Sequence, residues 1–484
     1  MLPMPPPAGG IAGVFGNFQV AISAYSGAHT SVSGTANVNV TGLEAEVLFS
    51  RYANSQVTIN NITGTAVSTS GSAVAAGAGS GGVITVNGNA SLSITAATEA
   101  TGLEVSNGGS VSFLGTSNLT IGGPTALGFR TVDGGDLTLQ NGTVSVTGAA
   151  ATGIWMEAAA TATAASVNLS NATLTSSGDG IVVRGGTNTV NLTNTTLNNA
   201  SGLAIDVGPN GAASAVLNAT LDNSRMSGRT VNSLSTASNL VLRNGSLWTM
   251  TGSSELTNLT NSASTINFTA PSGDPALLAS YKTLSVQNYI GAGGTIGLNT
   301  YLGSDASPSD RLLVSGGTVS GTSVLRVSNT VGPGALTTGN GILLVDAVGG
   351  LHTGSFSLAG PLFAGPYEYT LVRQDRNCGA AGGGACESQW SLVSTYVPDP
   401  TPPTPPTPPT PAPAPAEVPN YRREVSLYAA LPAMGLIYGR TIIDSLHERM
   451  GELRPLETAP VTEERTIWCK NPEKNFRCKK PMDT

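Results

Sequence analysis

Short apolar patterns recur along the first half of this chain at a near-constant interval. The pattern Gly, apolar, any, apolar appears as Gly102-Leu-Glu-Val105, Gly153-Ile-Trp-Met156, Gly180-Ile-Val-Val183 and Gly202-Leu-Ala-Ile205, with a looser copy at Gly128-Phe-Arg-Thr-Val132. Interleaved with it runs apolar-x-Asn-x-x-apolar, at Leu139/Asn141/Val144, Leu169/Asn171/Leu174, Leu192/Asn194/Leu197, Leu221/Asn223/Met226 and Leu242/Asn244/Leu247. Apolar residues two apart point to one face of a strand, and Gly or Asn suits a tight turn that needs positive φ. One repeat therefore predicts two or three short strands joined by turns.

A unit of about 25 residues cannot close a core alone, but stacked units bury a continuous column of Val, Ile and Leu. The expected fold is all-β, a parallel β-helix. At about 4.8 Å per coil, some 16 coils over about 400 residues would make a rod roughly 75 Å long. A propeller would need blades of about 40–50 residues with signatures that are missing. The recurrent Asn has two readings, a turn residue or a rung of a side-chain ladder stacked inside the solenoid.

Composition agrees with repetition: 484 residues include 61 Gly and 29 Pro, with 11% charged and 5% aromatic, while 40% hydrophobic content exceeds what disorder tolerates. Charge divides the chain. Residues 1–397 hold 11 Lys+Arg and 18 Asp+Glu, whereas 398–484 hold 11 of each. No Lys precedes Lys282 and the first 43 residues carry no formal charge, so nucleic acid is not an expected partner. The start lacks the positive n-region of an export signal, and no window approaches about 18 consecutive apolar residues. Neither a cleavable signal nor a membrane-spanning helix is expected from this text.

From about Ile266 the repeats give way to a more particular sequence: Val286-Gln-Asn-Tyr-Ile-Gly-Ala-Gly-Gly-Thr-Ile-Gly-Leu298, Ser309-Asp-Arg-Leu-Leu-Val-Ser-Gly-Gly317, Gly341-Ile-Leu-Leu-Val-Asp346, Ala364-Gly-Pro-Tyr-Glu-Tyr-Thr-Leu371 and Trp390-Ser-Leu392. These segments resemble the C-terminal part of pertactin-like autotransporter passengers, surface proteins that Gram-negative bacteria export through their own C-terminal barrel. Pro419-Asn-Tyr-Arg-Arg-Glu-Val-Ser-Leu-Tyr-Ala-Ala-Leu-Pro432 and Leu446-His-Glu-Arg-Met-Gly451 are similar to the segment that enters that barrel. The resemblance covers about 266–452 and implies a right-handed β-helix, a cell-surface or secreted location, attachment to the outer membrane through a barrel, and a segment that helps the rod fold. After Gly451 only 33 residues remain, too few for a barrel of about twelve strands, so the chain reads as lacking the signal and most of the barrel.

The expected organisation is β-helix repeats over 1–265, the pertactin-like C-terminal passenger segment and folding seed over 266–397, a Pro-rich linker over 398–419, a helical segment over 420–452 and a basic, flexible tail over 453–484. The linker holds 12 Pro in 22 residues, which predicts a stiff polyproline II spacer nearly 70 Å long. Met434, Ile437, Tyr438, Thr441, Ile442, Leu446 and Met450 recur at three and four, the period of an amphipathic helix that Gly451 would stop. By resemblance this helix threads a barrel pore; without one it is an amphipathic helix that needs a partner surface.

Chemistry is sparse. A carbohydrate-cleaving β-helix needs clustered carboxylates, and residues 1–265 offer only the close pair Asp133 and Asp136 and the pair Asp179 and Asp206, expected near equivalent positions of successive coils. Both pairs read as corner residues. His29, His352 and His447 lie in three different regions, with no nucleophile elbow and no His-Glu-x-x-His helix. No catalytic, cofactor or metal residues are therefore assigned, and no enzyme activity is expected. Cys378 and Cys386 flank a Gly/Ala loop flexible enough for a disulfide, and Cys469 with Cys478 is expected to close another in the tail. The functional expectation is a structural and adhesive rod contacting a host or neighbouring-cell ligand. The alternatives are a polysaccharide-binding or polysaccharide-cleaving β-helix and a truncated, nonfunctional remnant.

Overall fold

The computed structural model describes residues 11–15, 18–376, 386–396, 418–450, 467–471 and 474–478. Its main body is a parallel β-solenoid of about 12 turns, fewer than the 16 coils expected, because several coils carry long loops such as 270–282 and 300–310. One wall is a sheet of successive parallel strands, among them Phe18–Tyr25, Glu44–Arg51, Ala73–Gly79, Glu99–Ser106, Thr125–Val132, Ala150–Glu157, Asp179–Arg184, Leu203–Gly208 and Arg229–Asn232. The other walls are built from longer strands such as Gly109–Gly122, whose register with Gly135–Thr147 shifts between Phe113 and Thr116 as the chain turns a corner.

Apolar alternation becomes columns because parallel strands keep register coil after coil. Val57, Ile84, Val111, Leu137, Val167, Val190, Ala219, Leu240, Leu259, Tyr289 and Val319 are successive register partners, all buried. Opposite them, Ile22, Leu48, Ala76, Leu103, Phe129, Ile154, Ile181 and Ile205 stack in the same way. Each large aliphatic side chain so buried contributes about 1.5–3 kcal/mol, and each coil contributes only with its neighbours in place.

The glycines of the first pattern do not make the turns their sequence suggests. Gly102, Gly128, Gly153 and Gly180 sit within strands, and a Cβ on any of them would run into the carbonyl oxygen of Gly128, Gly153, Gly180 and Ala204 respectively. Close stacking, not positive φ, demands glycine here. The copy at Gly202 is out of phase: Ile181 pairs with Ile205 and Val182 with Asp206, so the equivalent tetrad is Ala204 to Val207, while Gly202 itself is a turn residue with φ 75°.

Asn171, Asn194, Asn223 and Asn244 do adopt positive φ, at 47–55°, and they also form a ladder. Asn171 Nδ2 donates to Asn141 Oδ1 at 3.2 Å, Asn194 to Asn171 at 3.0 Å and Asn223 to Asn194 at 2.8 Å, before Asn244 donates to Asp222 at 2.7 Å. Both readings hold, but the ladder runs along the exposed edge instead of inside. The buried ladder beside it is made of hydroxyls: Thr195, Ser224 and Ser246 N–H donate to Ser224, Ser246 and Ser264 Oγ at 2.9, 3.0 and 3.1 Å.

At its C-terminal end the solenoid changes character. Ile342–Val348 pairs in parallel with Arg311–Ser315 but antiparallel with Glu387–Val393, which also pairs antiparallel with Tyr367–Arg376. This antiparallel cap buries Trp390 and Tyr369, and Phe356 stacks on Tyr289 at 5.9 Å and meets Trp390 edge-to-face at 4.9 Å. Val418–Pro419 pairs antiparallel with Thr395–Tyr396. Residues 398–417, on which the expected polyproline II spacer falls, lie outside the described residues.

A second unit begins at Tyr421. Its helix Val425–Met450 starts earlier than the periodicity predicts and contains Pro432. Leu436, Ile437 and Tyr438 are 69, 64 and 70% exposed, with Leu427, Tyr428, Leu431 and Ile443 also bare, so apolar residues lie outside the expected stripe too. No helix among the described residues is long and apolar enough to cross a membrane. In the tail, Ile467–Asn471 and Lys474–Cys478 form an antiparallel hairpin, where only flexible chain was expected.

Candidate functional site

Within the wall that holds Glu99–Ser106 and Thr125–Val132, the unspecified position of the Gly-apolar-x-apolar pattern faces outward, and register stacks Glu104, Arg130, Trp155, Val182 and Asp206 in one row. The adjoining row brings Glu157 beside Arg184. Arg130 is the hub. Its Nη1 lies 2.9 Å from Glu99 and 3.6 Å from Glu104, and its Nη2 lies 2.9 Å from Glu157. Arg184, in the adjoining row, reaches across to pair with Asp206 at 2.5 Å and lies 5.9 Å from the Trp155 ring centroid.

Glu99, Glu104 and Arg130 open onto a cleft of about 490 Å³ that also takes in Phe18, Tyr25, Glu44, Glu46, Phe49 and Arg51. Glu46 is 5% exposed and fits because residue 77 is glycine; a Cβ there would strike Glu46 Oε1. Burial pushes the Glu46 carboxyl well above its ordinary range, Glu104 and Glu44 push it further, and only the Gly77 N–H opposes. Burial also raises Glu104 against the pull of Arg130, with Glu99 and Glu157 adding to the rise. For Arg130 burial works against the charge, but the surrounding carboxylates win and raise its pKa. A second depression of about 640 Å³ shares Glu99 and Arg130 and adds Trp155, Glu157, Asp179, Ser177 and Ser201.

The residues singled out from sequence lie mostly elsewhere. Asp133 is a corner residue with φ 49° whose Oδ1 accepts from Ala159 N at 2.7 Å, and Asp136 bonds Ser166 Oγ at 2.5 Å. Asp179 and Asp206 are not equivalent, since Asp179 aligns with Thr152 while Asp206 aligns with Val182. His352 is buried in the cap; His29 begins a strand, and the His447 side chain lies outside the described residues. Cys386 is disulfide-bonded. Cys378 lies outside the described residues, as do the side chains of Cys469 and Cys478. Among the described residues no group of three or more His, Cys, Asp or Glu could hold a metal ion. Sequence reading missed the Arg130 cluster, although its signal was present: Glu104 and Arg130 occupy the same repeat position one coil apart.

Comparison with known proteins places this architecture. Residues 254–371 match the family described as Autochaperone Domain Type 1. The uncharacterized protein YdeU of Escherichia coli K12 is 38% identical over 170 residues, covering 34% of this chain and 33% of the relative. The Adhesin BmaC autotransporter of Brucella suis biovar 1 is 29% identical over 193 residues, 38% of this chain and 5% of the relative. The chain thus spans about a third or less of the length of these curated relatives. Among solved structures, the autotransporter UpaB from E. coli strain CFT073 aligns with a TM-score of 0.38 and 16% identity, over 77% of this chain and 94% of that one. The part of the solenoid that matches the autochaperone family, residues 254–371, runs from the later coils into the cap. These likenesses support the reading of the chain as an autotransporter passenger.

Proposed function

We propose that this passenger acts by contact, as a surface-displayed adhesive rod without catalysis, anchored to the outer membrane through a barrel and binding a ligand on a host or neighbouring cell. The adhesin-named relative supports the class of role. The observation that carries the choice of surface is the Arg130 cleft, where four side chains that water would otherwise solvate are organised into one partly buried ion cluster on an outward wall. Partly buried charges in a concave site are where recognition is concentrated. The test is adherence of cells to surfaces coated with the chain. Arg130→Glu should reduce adherence while leaving the solenoid's circular dichroism intact; undiminished adherence would move the contact elsewhere.

A second reading, polysaccharide binding, is favoured by Trp155, an aromatic face flanked by Glu99, Glu157 and Asp179 in the adjoining depression. Glycan-binding assays with Trp155→Ala, together with assays for polyuronide cleavage with and without Ca²⁺, separate it from the first.

A further inference from the structure

The strand Ala73–Gly79 leaves a gap in the outward wall. Register places Gly77 between Phe49 and Glu104, and Gly79 between Arg51 and Ser106, so both outward rows lose a side chain at this one coil. Neighbouring strands lie about 4.8 Å apart, and the strands that carry Phe49 and Glu104 are therefore roughly 9.5 Å apart, room for a single alkyl chain between their side chains. Phe49, edge-to-face on Phe18 at 5.6 Å, lines one side together with Val74. Glu104 lines the other. Glu46 reaches over the glycine floor from the strand Glu44–Arg51, its Oε1 standing where a side chain at residue 77 would begin.

Charge in this groove is not balanced. Four carboxyl groups line it, from Glu44, Glu46, Glu99 and Glu104, against the guanidinium groups of Arg51 and Arg130. Arg130 is already engaged by Glu99, Glu104 and Glu157. Glu46 is only 5% exposed; the Gly77 N–H donates to it, and among the described residues no cation pairs with it. A carboxylate buried without a countercharge is costly, and a cation entering from solvent supplies one. The apolar wall selects among cations: Phe49 and Val74 offer nothing to a bare ion but cover a hydrocarbon stem, and an aromatic ring also attracts an ammonium. Glu46 and Glu104 come from separate coils, which suits a compact point charge more than a planar fork.

Resting on the reading of this cleft as the contact surface, we propose that the groove takes a lysine side chain of a protein on the contacted cell, its stem along Phe49 and Val74 and its ammonium between Glu46 and Glu104. Opposite charge fixes which partner is accepted, and an anionic side chain is repelled. Burial pushes the Glu46 and Glu104 carboxyls up; Glu104 and Glu44 add to the rise at Glu46, and Glu99 and Glu157 to that at Glu104, while the Gly77 N–H and Arg130 oppose. Arg51 and Tyr25 complete the titratable lining. An entering ammonium competes with the protons on these carboxyls, so binding strengthens as pH rises.

Isothermal titration of the full chain with Nα-acetyl-lysine methylamide tests this, with two comparison ligands: the norleucine counterpart, which keeps the stem without the amine, and 1,5-diaminopentane. The lysine amide should bind saturably and more tightly at about pH 8 than at about pH 5, and Glu46→Gln should weaken it about tenfold. If Glu46→Gln fails to fold, Glu104→Gln carries the same expectation. Equal affinities of wild type and the folded variant overturn the proposal, as does the norleucine amide binding as tightly or diaminopentane binding more tightly than the lysine amide. Saturating lysine amide should also block adherence of cells to the coated chain. Adherence that Arg130→Glu abolishes but the lysine amide leaves intact overturns this proposal alone. Undiminished adherence in Arg130→Glu, with amide binding lost in Glu46→Gln, overturns the contact reading and leaves the ligand class standing.

Discussion

Asn223 donates its side-chain amide to Asn194 Oδ1 at 2.8 Å across 29 residues of sequence, and both residues hold the left-handed backbone that turns one coil into the next. Corner geometry and rung are thus one device. Asn194 both donates to Asn171 and accepts from Asn223. Asn194→Ala should lower stability by about 1–3 kcal/mol, combining left-handed strain with two lost exposed bonds. Asn194→Gly should recover the backbone part, so urea midpoints of the two variants separate the contributions.

Buried hydroxyls set a stricter condition than the exposed amides. Ser246 Oγ, fully buried, accepts from Ser224 N and has the Leu221 and Arg243 carbonyls as alternative acceptors for its single proton. Ser246→Ala leaves the Ser224 N–H without its acceptor, and denaturant unfolding should show a loss of about 1–3 kcal/mol.

The cleft predicts a pH dependence with a definite sign. Because the Glu46 carboxyl is raised in the folded chain, the folded state binds more protons than the unfolded one above the ordinary carboxylate range. Its contribution is therefore complete below that range and is lost as pH rises through the raised folded value. Glu46→Gln should raise the Tm at pH above that window, leave it nearly unchanged at about pH 4, and flatten the profile between. Equal wild-type and variant profiles would show that Glu46 ionises freely in the folded chain.

Folding order is testable at the cap. Val345 is fully buried and has Leu312 as parallel and Trp390 as antiparallel partner, whereas Leu343 is only partly buried. If the autochaperone end seeds the rod, Val345→Asp should slow refolding of all coils, and Leu343→Asp should do so less. Stopped-flow fluorescence of Trp248, buried several coils away, reads the distant effect. An unchanged rate for Val345→Asp would remove the seeding role.

Columns such as Val190, Ala219 and Leu240 were legible because a strand's period of two survives in the text wherever one face is buried. Phase was harder. Gly202 matches the motif but belongs to a turn, and the true equivalent of Gly180 is Ala204, which no glycine pattern marks. That slip also brought Asp206 and Asp179 falsely together. The Arg130 cluster escaped because its carboxylates, Glu99, Glu104 and Glu157, come from positions up to 58 residues apart that only coil register unites. The antiparallel cap escaped too, because no repeat announces a reversal of strand direction.

The stacked glycines at 102, 128, 153 and 180 bear on heredity as well as packing. Each coil leaves room only for a backbone of the same phase beside it, so the permissible unit of gain or loss is a whole turn cut at equivalent glycines. A duplication of one such segment would lengthen the rod without disturbing its walls. An insertion of a few residues within a strand would set every later glycine against a side chain. Variants of this solenoid that differ in length should therefore differ by whole coils, with odd-sized insertions confined to loops such as 270–282.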